Sequence, residues 1–154
     1  MNLKEELFRV VSALGDAEVD YALCGGMAVI IHGYPRATRD IDILIREKDL
    51  DRAQQSLRHI GYSLASGMIP FDVGKPTERR VLRITKVEDD DFLTLDLILI
   101  SPFLRDVWDS REKHLVENRE IRVVSRAGLA KMKRAAGRPQ DLADLAGLEM
   151  ENDE

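Results

Sequence analysis

An aspartate in the middle of an otherwise apolar strand restricts a chain more than any helix or turn signal, and this sequence has two such segments. RDIDILI (39–45) carries Asp40 and Asp42, and FLTLDLILI (92–100) carries Asp96. Side chains alternate across a strand, so Asp40 and Asp42 project from one face. Asp96 interrupts a Leu/Ile run that reads as a core strand, where an uncompensated carboxylate costs several kcal/mol. Three carboxylates converging on one spot are accounted for by a divalent cation. The fold must therefore bring both segments to one sheet face while burying the residues between the acids.

The remaining pattern predicts a small mixed sheet with helices packed on it, an α+β arrangement. Leu3, Leu7, Val10, Val11 and Leu14 follow helical spacing up to Gly15. Tyr21–Cys24 reads as a short buried strand, Gly25-Gly26 as a turn, and 27–32 as a short helix stopped by Gly33-Tyr34-Pro35. Asp40–Ile45 is a strand, and Leu50, Ala53, Leu57 and Ile60 mark a further amphipathic helix. The stretch 62–76 is poorly periodic and reads as an irregular excursion with one strand at most. Segments 80–87 and 92–100 form a hairpin across the acidic turn 88–91. Ser101-Pro102 opens a helix expected to reach about Leu115, and 121–124 is a short strand. Ser125 caps a helix to about Ala136, and Pro139 starts a last one through Leu148. The 154 residues are expected to form a single domain (1–154) with a helical tail at about 126–150.

Composition narrows the function classes. The net charge of −5 argues against nucleic-acid binding over the whole surface. The single cysteine, Cys24, lies in an apolar run, which fits a reducing cytoplasm. No apolar stretch is long enough to span a bilayer, the N-terminus has no signal-peptide character, and His32, His59 and His114 lack zinc spacing.

The order of the motifs points to chemistry. Gly25-Gly26, between a strand and a helix, lets backbone N–H groups approach an anion closely. A phosphate cradle, then Asp-x-Asp, then a third Asp on a later strand is the layout of a metal-dependent enzyme acting on a nucleoside triphosphate. Magnesium prefers carboxylate and phosphate oxygens, and two such ions about 3.5–4 Å apart stabilise the attacking and leaving oxygens of an in-line displacement. Each motif alone is weak: Gly-Gly is more often a plain turn, and Asp-x-Asp occurs at many strand edges.

GGMAVIIHGYPRATRDIDILI (25–45) resembles the signature of the nucleotidyltransferase superfamily, whose fold is shared with polymerase beta. Gly-Gly-x-Ala followed by Arg-x-Thr-x-Asp-Ile-Asp, together with KMKRAAGRPQDLADL (131–145), is similar to small bacterial proteins related to AbiEii-type abortive-infection toxins. The resemblance runs from about Tyr21 to Leu145 and is weakest over 61–86. It implies Asp40 and Asp42 as ligands of two Mg²⁺ ions, with Mn²⁺ as an alternative, and Asp96 as catalytic-metal ligand and activator of the attacking hydroxyl. The implied reaction moves an NMP group from NTP to an acceptor hydroxyl with release of pyrophosphate, in a toxin–antitoxin or phage-defence setting. The acceptor is left open between a protein, a tRNA end and a small molecule such as an aminoglycoside. A non-catalytic binding or antitoxin module on the same fold is the competing reading.

Two departures matter. Many relatives carry Ser after the first glycine; Gly26 leaves only backbone donors there, and a Gly26→Ser exchange is expected to be tolerated. The longer spacing to Asp40 brings in Arg36, Thr38 and Arg39, of which either arginine suits a phosphate clamp or a salt bridge to a neighbouring acid. Lys133 and Arg138 suit triphosphate or acceptor contacts, or else an ion-pair network with the acidic last helix. The chain offers no second unit for an acceptor, so a homodimer or a protein partner would complete the cleft.

Overall fold

The computed structural model describes residues 1–152. The chain runs α1 (Leu3–Asp16), β1 (Ala22–Cys24), α2 (Gly25–Ile31), β2 (Asp40–Ile45), α3 (Leu50–Arg58), β3 (Tyr62–Phe71), β4 (Arg79–Glu88), β5 (Asp91–Leu99), α4 (Arg105–Asp109), β6 (Glu112–Val116), β7 (Arg119–Val123), α5 (Arg126–Ala136) and α6 (Pro139–Asn152). The strands form one seven-stranded sheet in the order β3-β4-β5-β2-β1-β7-β6. Pairs β2–β5 and β1–β7 are parallel; the others are antiparallel. This is the α+β mixed sheet expected from the sequence, with a C-terminal helix.

Strands β2 and β5 lie at the centre because their alternation serves two faces. Ile41, Ile43, Leu95 and Leu97 are fully buried and join Leu7, Val10 and Leu14 of α1 and Leu57 of α3 in the core. The acids project from the other face. Local chemistry sets the ends of α5: the Ser125 hydroxyl accepts from Gly128 N–H at 3.0 Å, and Gly137 closes the helix at φ 64°, a conformation glycine adopts without penalty.

Two expectations need correction, both at sheet edges. Segment 62–76 does hold the one strand allowed for it, but that strand, β3, runs ten residues and leaves only the end of the segment irregular. Beyond Tyr62 its residues are exposed or half-buried, so neither face needs an apolar period. Bulges break its register, and Pro70 is admitted because the strand is at the edge. The helix opened at Ser101-Pro102 stops at Asp109 rather than reaching Leu115, and Glu112–Val116 is strand β6. The missed signal is the tight turn Glu117-Asn118, where both residues take positive φ (50° and 66°), the geometry of a two-residue hairpin.

A buried ion pair pins α1 to the sheet. Lys86 Nζ lies 2.9 Å from Glu6 Oε1, and the Tyr62 hydroxyl donates to Glu6 Oε2 at 2.9 Å. Removing one partner leaves the other charge buried, a loss of about 3–5 kcal/mol. Glu6→Ala is therefore expected to lower unfolding free energy by about 3 kcal/mol in urea titration; a loss below about 0.5 kcal/mol would show that the pair does not hold α1.

Candidate active site

A cavity of about 630 Å³ opens on the sheet face opposite α1 and α3. Asp40 and Asp42 of β2 and Asp96 of β5 all line it, together with Gly25, Gly26, Arg36, Thr38, Lys133 and Arg138. Asp42 and Asp96 are direct partners across the parallel β2–β5 pair, with Asp40 one pleat further along. Arg39 is exposed and is not among the lining residues.

The three carboxylates share the cavity but do not form a closed cluster. Arg83, opposite Asp96 on β4, holds it through two hydrogen bonds, Nε to Oδ1 at 2.9 Å and Nη2 to Oδ2 at 3.1 Å. Among the described residues, Asp42 has no such partner. Burial, then the charges of Asp96 and Asp40, push its carboxyl up to about 7, against the pull of Lys133 and Arg138. Cys24, opposite Asp42 on β1, is buried and its thiol is pushed well up by desolvation. It donates to the Asp42 carbonyl at 3.4 Å, a packing role.

The glycines are spatial requirements. Gly25 has φ 68°, and a Cβ there would overlap the Asp42 carboxylate. A Cβ at Gly26 would run into the Arg36 guanidinium and lie 2.7 Å from Thr38 Oγ1. The space that a serine side chain would take is filled by Arg36 and Thr38. The expectation that Gly26→Ser is harmless is corrected: any side chain there displaces both.

Arg36, Lys133 and Arg138 are joined to α6. Asp144 is fully buried, with Oδ1 2.9 Å from Arg36 Nε and Oδ2 2.9 Å from Lys133 Nζ. Asp141 sits 3.3 Å from Lys133 and 2.7 Å from Arg138 Nε. Burial opposes ionisation of Asp141, but the Arg138 hydrogen bond and the Lys133 charge hold its carboxyl below the ordinary range. The ion-pair network anticipated for this tail is thus present, and it also forms a wall of the cavity. Lys133 is only 8% exposed and Arg36 16%, whereas Arg138, although held by Asp141 through Nε and Nη2, is 74% exposed.

Sequence reasoning missed Arg83, although the predicted hairpin holds the signal: counting back from 88 opposite 91 puts residue 83 opposite Asp96. It also missed the grouping of His32, Glu112 and His114, whose ligand atoms lie within 4.8 Å of one another, because β6 was expected to be helix. His32 Nε2 meets the Val124 carbonyl at 2.8 Å, and His114 Nε2 meets Glu112 Oε1 at 3.1 Å. Among the described residues this is the group of three with ligand atoms so close; the aspartates are not drawn together in that way, since Asp96 is turned to Arg83.

The fold and its similarities define the class: this is a nucleotidyltransferase. Residues 6–148 match the aminoglycoside-2''-adenylyltransferase family, and the chain belongs to it. The structure is similar to the lincosamide antibiotic adenylyltransferase LnuA with lincomycin bound (TM-score 0.61, 21% identity, 94% of this chain and 95% of that one). It is also similar to a Thermotoga maritima protein assigned as a nucleotidyltransferase (0.64, 14%, 100% and 97%). A third similar structure is ANT(2'')-Ia in complex with adenylyl-2''-tobramycin (0.61, 13%, 94% and 86%). By sequence alone, no curated protein matches the chain. No helix among the described residues is long and apolar enough to cross a membrane.

Asp42 supplies a pH test of this geometry. Its folded pKa near 7 lies above the ordinary carboxyl value, so between about pH 4 and 7 the native state binds more protons than the unfolded state and stability falls as pH rises. The penalty is complete above pH 7, a few kcal/mol at most at ~1.4 kcal/mol per unit. Asp42→Asn should raise the melting temperature at pH 8 and lose that advantage toward pH 4.5. An equal effect at both pH values would show that Asp42 ionises freely in the native state.

Proposed function

We propose that this protein transfers AMP from ATP to a hydroxyl of a small-molecule acceptor, releasing pyrophosphate, with Asp40, Asp42 and Asp96 as Mg²⁺ ligands. The observation that carries this reading is the apposition of Asp42 and Asp96 on adjacent parallel strands, with Asp40 beside them, on the floor of a cavity whose rim holds Gly25, Gly26 and Arg138. The donor set fits a hard divalent cation: three carboxylates, one of them raised toward neutral pH by burial and by the charges of the other two. Mg²⁺ bound there would draw charge from the phosphate oxygens and both reacting oxygens. Mn²⁺ suits the same ligands.

The protein's own residues have distinct tasks. The glycine backbone admits the triphosphate beside Asp42. Arg138 reaches phosphate oxygens by charge-assisted hydrogen bonds, while Lys133 and Arg36 act through their charge from behind, held by Asp144. Asp96 accepts the proton of the acceptor hydroxyl as its oxygen bonds to the α-phosphorus and the bond to the pyrophosphate oxygen breaks. Arg83 must release Asp96 for this, so metal and nucleotide entry exchange one cationic partner of Asp96 for another.

The family and two of the similar structures support an antibiotic-type acceptor over a protein or tRNA end. The toxin–antitoxin or phage-defence setting draws no support from them; in this reading a homodimer or a partner protein closes the open side of the cavity.

Incubation with ATP labelled at the α-phosphate, Mg²⁺ and a panel of hydroxylated antibiotics is expected to yield a labelled small molecule. Chelation should abolish the product, and Asp96→Asn should reduce it by at least about 10²-fold without loss of fold. Undiminished labelling in Asp96→Asn would refute the assignment. Gly26→Ser is expected to weaken Mg-ATP binding, because it expels Arg36 and Thr38 from their places. Affinity equal to the parent's in isothermal titration would show that the rim is not tightly fitted.

A further inference from the structure

The cavity continues past the aspartates along the sheet, and that extension has a chemistry of its own. From β2 the floor passes to Asp96 and Ile98 on β5, then to Arg83 and Val81 opposite them on β4, then to Arg79 and its β3 partner Phe71. Phe103 also lines it. The extension is thus apolar at Ile98, Val81, Phe71 and Phe103, and its charges are the two guanidinium groups.

Among the described residues, the acids lining the whole cavity are Asp40, Asp42, Asp96 and Asp141. Asp141 is committed to Lys133 and Arg138, and the other three form the proposed metal site. With Asp96 given to the metal, Arg83 keeps no acid in the cavity. Arg79 is held at 2.9 Å by Asp72, which stands outside the lining, and its guanidinium lies 5.2 Å from the centre of the Phe71 ring.

From this distribution we infer that the acceptor subsite lies over β4 and β3 and takes a molecule with an apolar body and at most one positive charge, and that it rejects polycations. The inference rests on the adenylyl-transfer reading and deepens it. A ligand bearing several ammonium groups would be desolvated beside Arg79 and Arg83 with no carboxylate free to pair, a like-charge arrangement that works against binding. A molecule with an extended apolar surface would cover Val81, Ile98, Phe71 and Phe103, and its polar groups would accept hydrogen bonds from the guanidinium groups. The family to which the chain belongs is named for polycationic acceptors, so the cavity wall and the family name point to different substrates.

The test is isothermal titration of the full chain, saturated with Mg²⁺ and a non-hydrolysable ATP analogue, using kanamycin as the polycation and lincomycin as the singly ionisable, more apolar probe. Analogue binding is measured first and reports on the nucleotide reading separately. The expected result is at least tenfold tighter binding of lincomycin, with the gap narrowed in Arg79→Glu, whose folding is monitored by melting temperature. Should Arg79→Glu fail to fold, the comparison of probes on the parent decides alone. Kanamycin binding as tightly as lincomycin, or neither probe binding while the analogue does, would overturn the acceptor assignment and leave the nucleotide site standing. Failure of the analogue to bind would overturn both.

Discussion

The site depends on one buried carboxylate. Asp144 of α6 has no exposed surface, and ionised carboxylates are kept there only by close counter-charges. It has two: Arg36, from the connection between α2 and β2, and Lys133, from α5. The connection that carries Arg36, far away in sequence, is thereby fixed to the same point as the consecutive helices α5 and α6. Asp141, one turn earlier on the same face of α6, adds Arg138. Packing reinforces the arrangement, since Gly147 lies against the Tyr34 ring so closely that a Cβ there would stand 2.6 Å from it. Once α6 is docked, the connection 33–39 has a single course, and that course puts Arg36 and Thr38 against Gly26. The cavity rim follows from the ion pairs of the C-terminal helix.

The floor is built on the opposite principle. Where the wall pairs its buried charges, the sheet places three carboxylates on one cavity floor and, among the described residues, gives a close partner to only one of them. Asp40 stays toward solvent, Asp96 takes Arg83, and Asp42 is left to the raised pKa that burial and its two neighbours impose. Folding alone would favour an apolar residue or an asparagine at position 42. A carboxylate kept where it destabilises the empty protein marks a position set by ligand chemistry, consistent with the clustering of perturbed groups at functional sites.

Much of this was legible in the sequence because it is local. Asp40-Ile41-Asp42 dictates its own facing, and the run around Asp96 dictates its burial. Ser125 and Gly137 mark α5 through a hydroxyl and a left-handed turn. Edge strands were illegible for a physical reason: β3 and β6 expose much of both faces, so no alternation is imposed on them, and the turn at Glu117-Asn118 uses residues other than glycine in left-handed geometry. The roles of Arg36 and Lys133 were ambiguous because a basic side chain near an acid in sequence reads the same whether it faces a ligand or a helix. Burial separates the two, and burial belongs to the assembled structure.

Arg83 shows how these levels combine. Its place opposite Asp96 follows from hairpin register, which sequence fixes once the turn is placed. Its significance appears only when β5 pairs in parallel with β2 and Asp96 comes beside Asp42. In the empty cavity the guanidinium supplies the positive charge that Asp96 needs in a half-buried strand. A divalent cation would supply more of it and would serve Asp42 and Asp40 at the same time. The two-point ion pair compensates Asp96 in the folded protein, and Arg83, 51% exposed, has solvent to move into if a metal takes its place in the proposed reaction. On the proposed reaction, a residue that pairs with the acid before the metal binds and faces the acceptor afterwards would link the stability of the fold to the selectivity of the cavity.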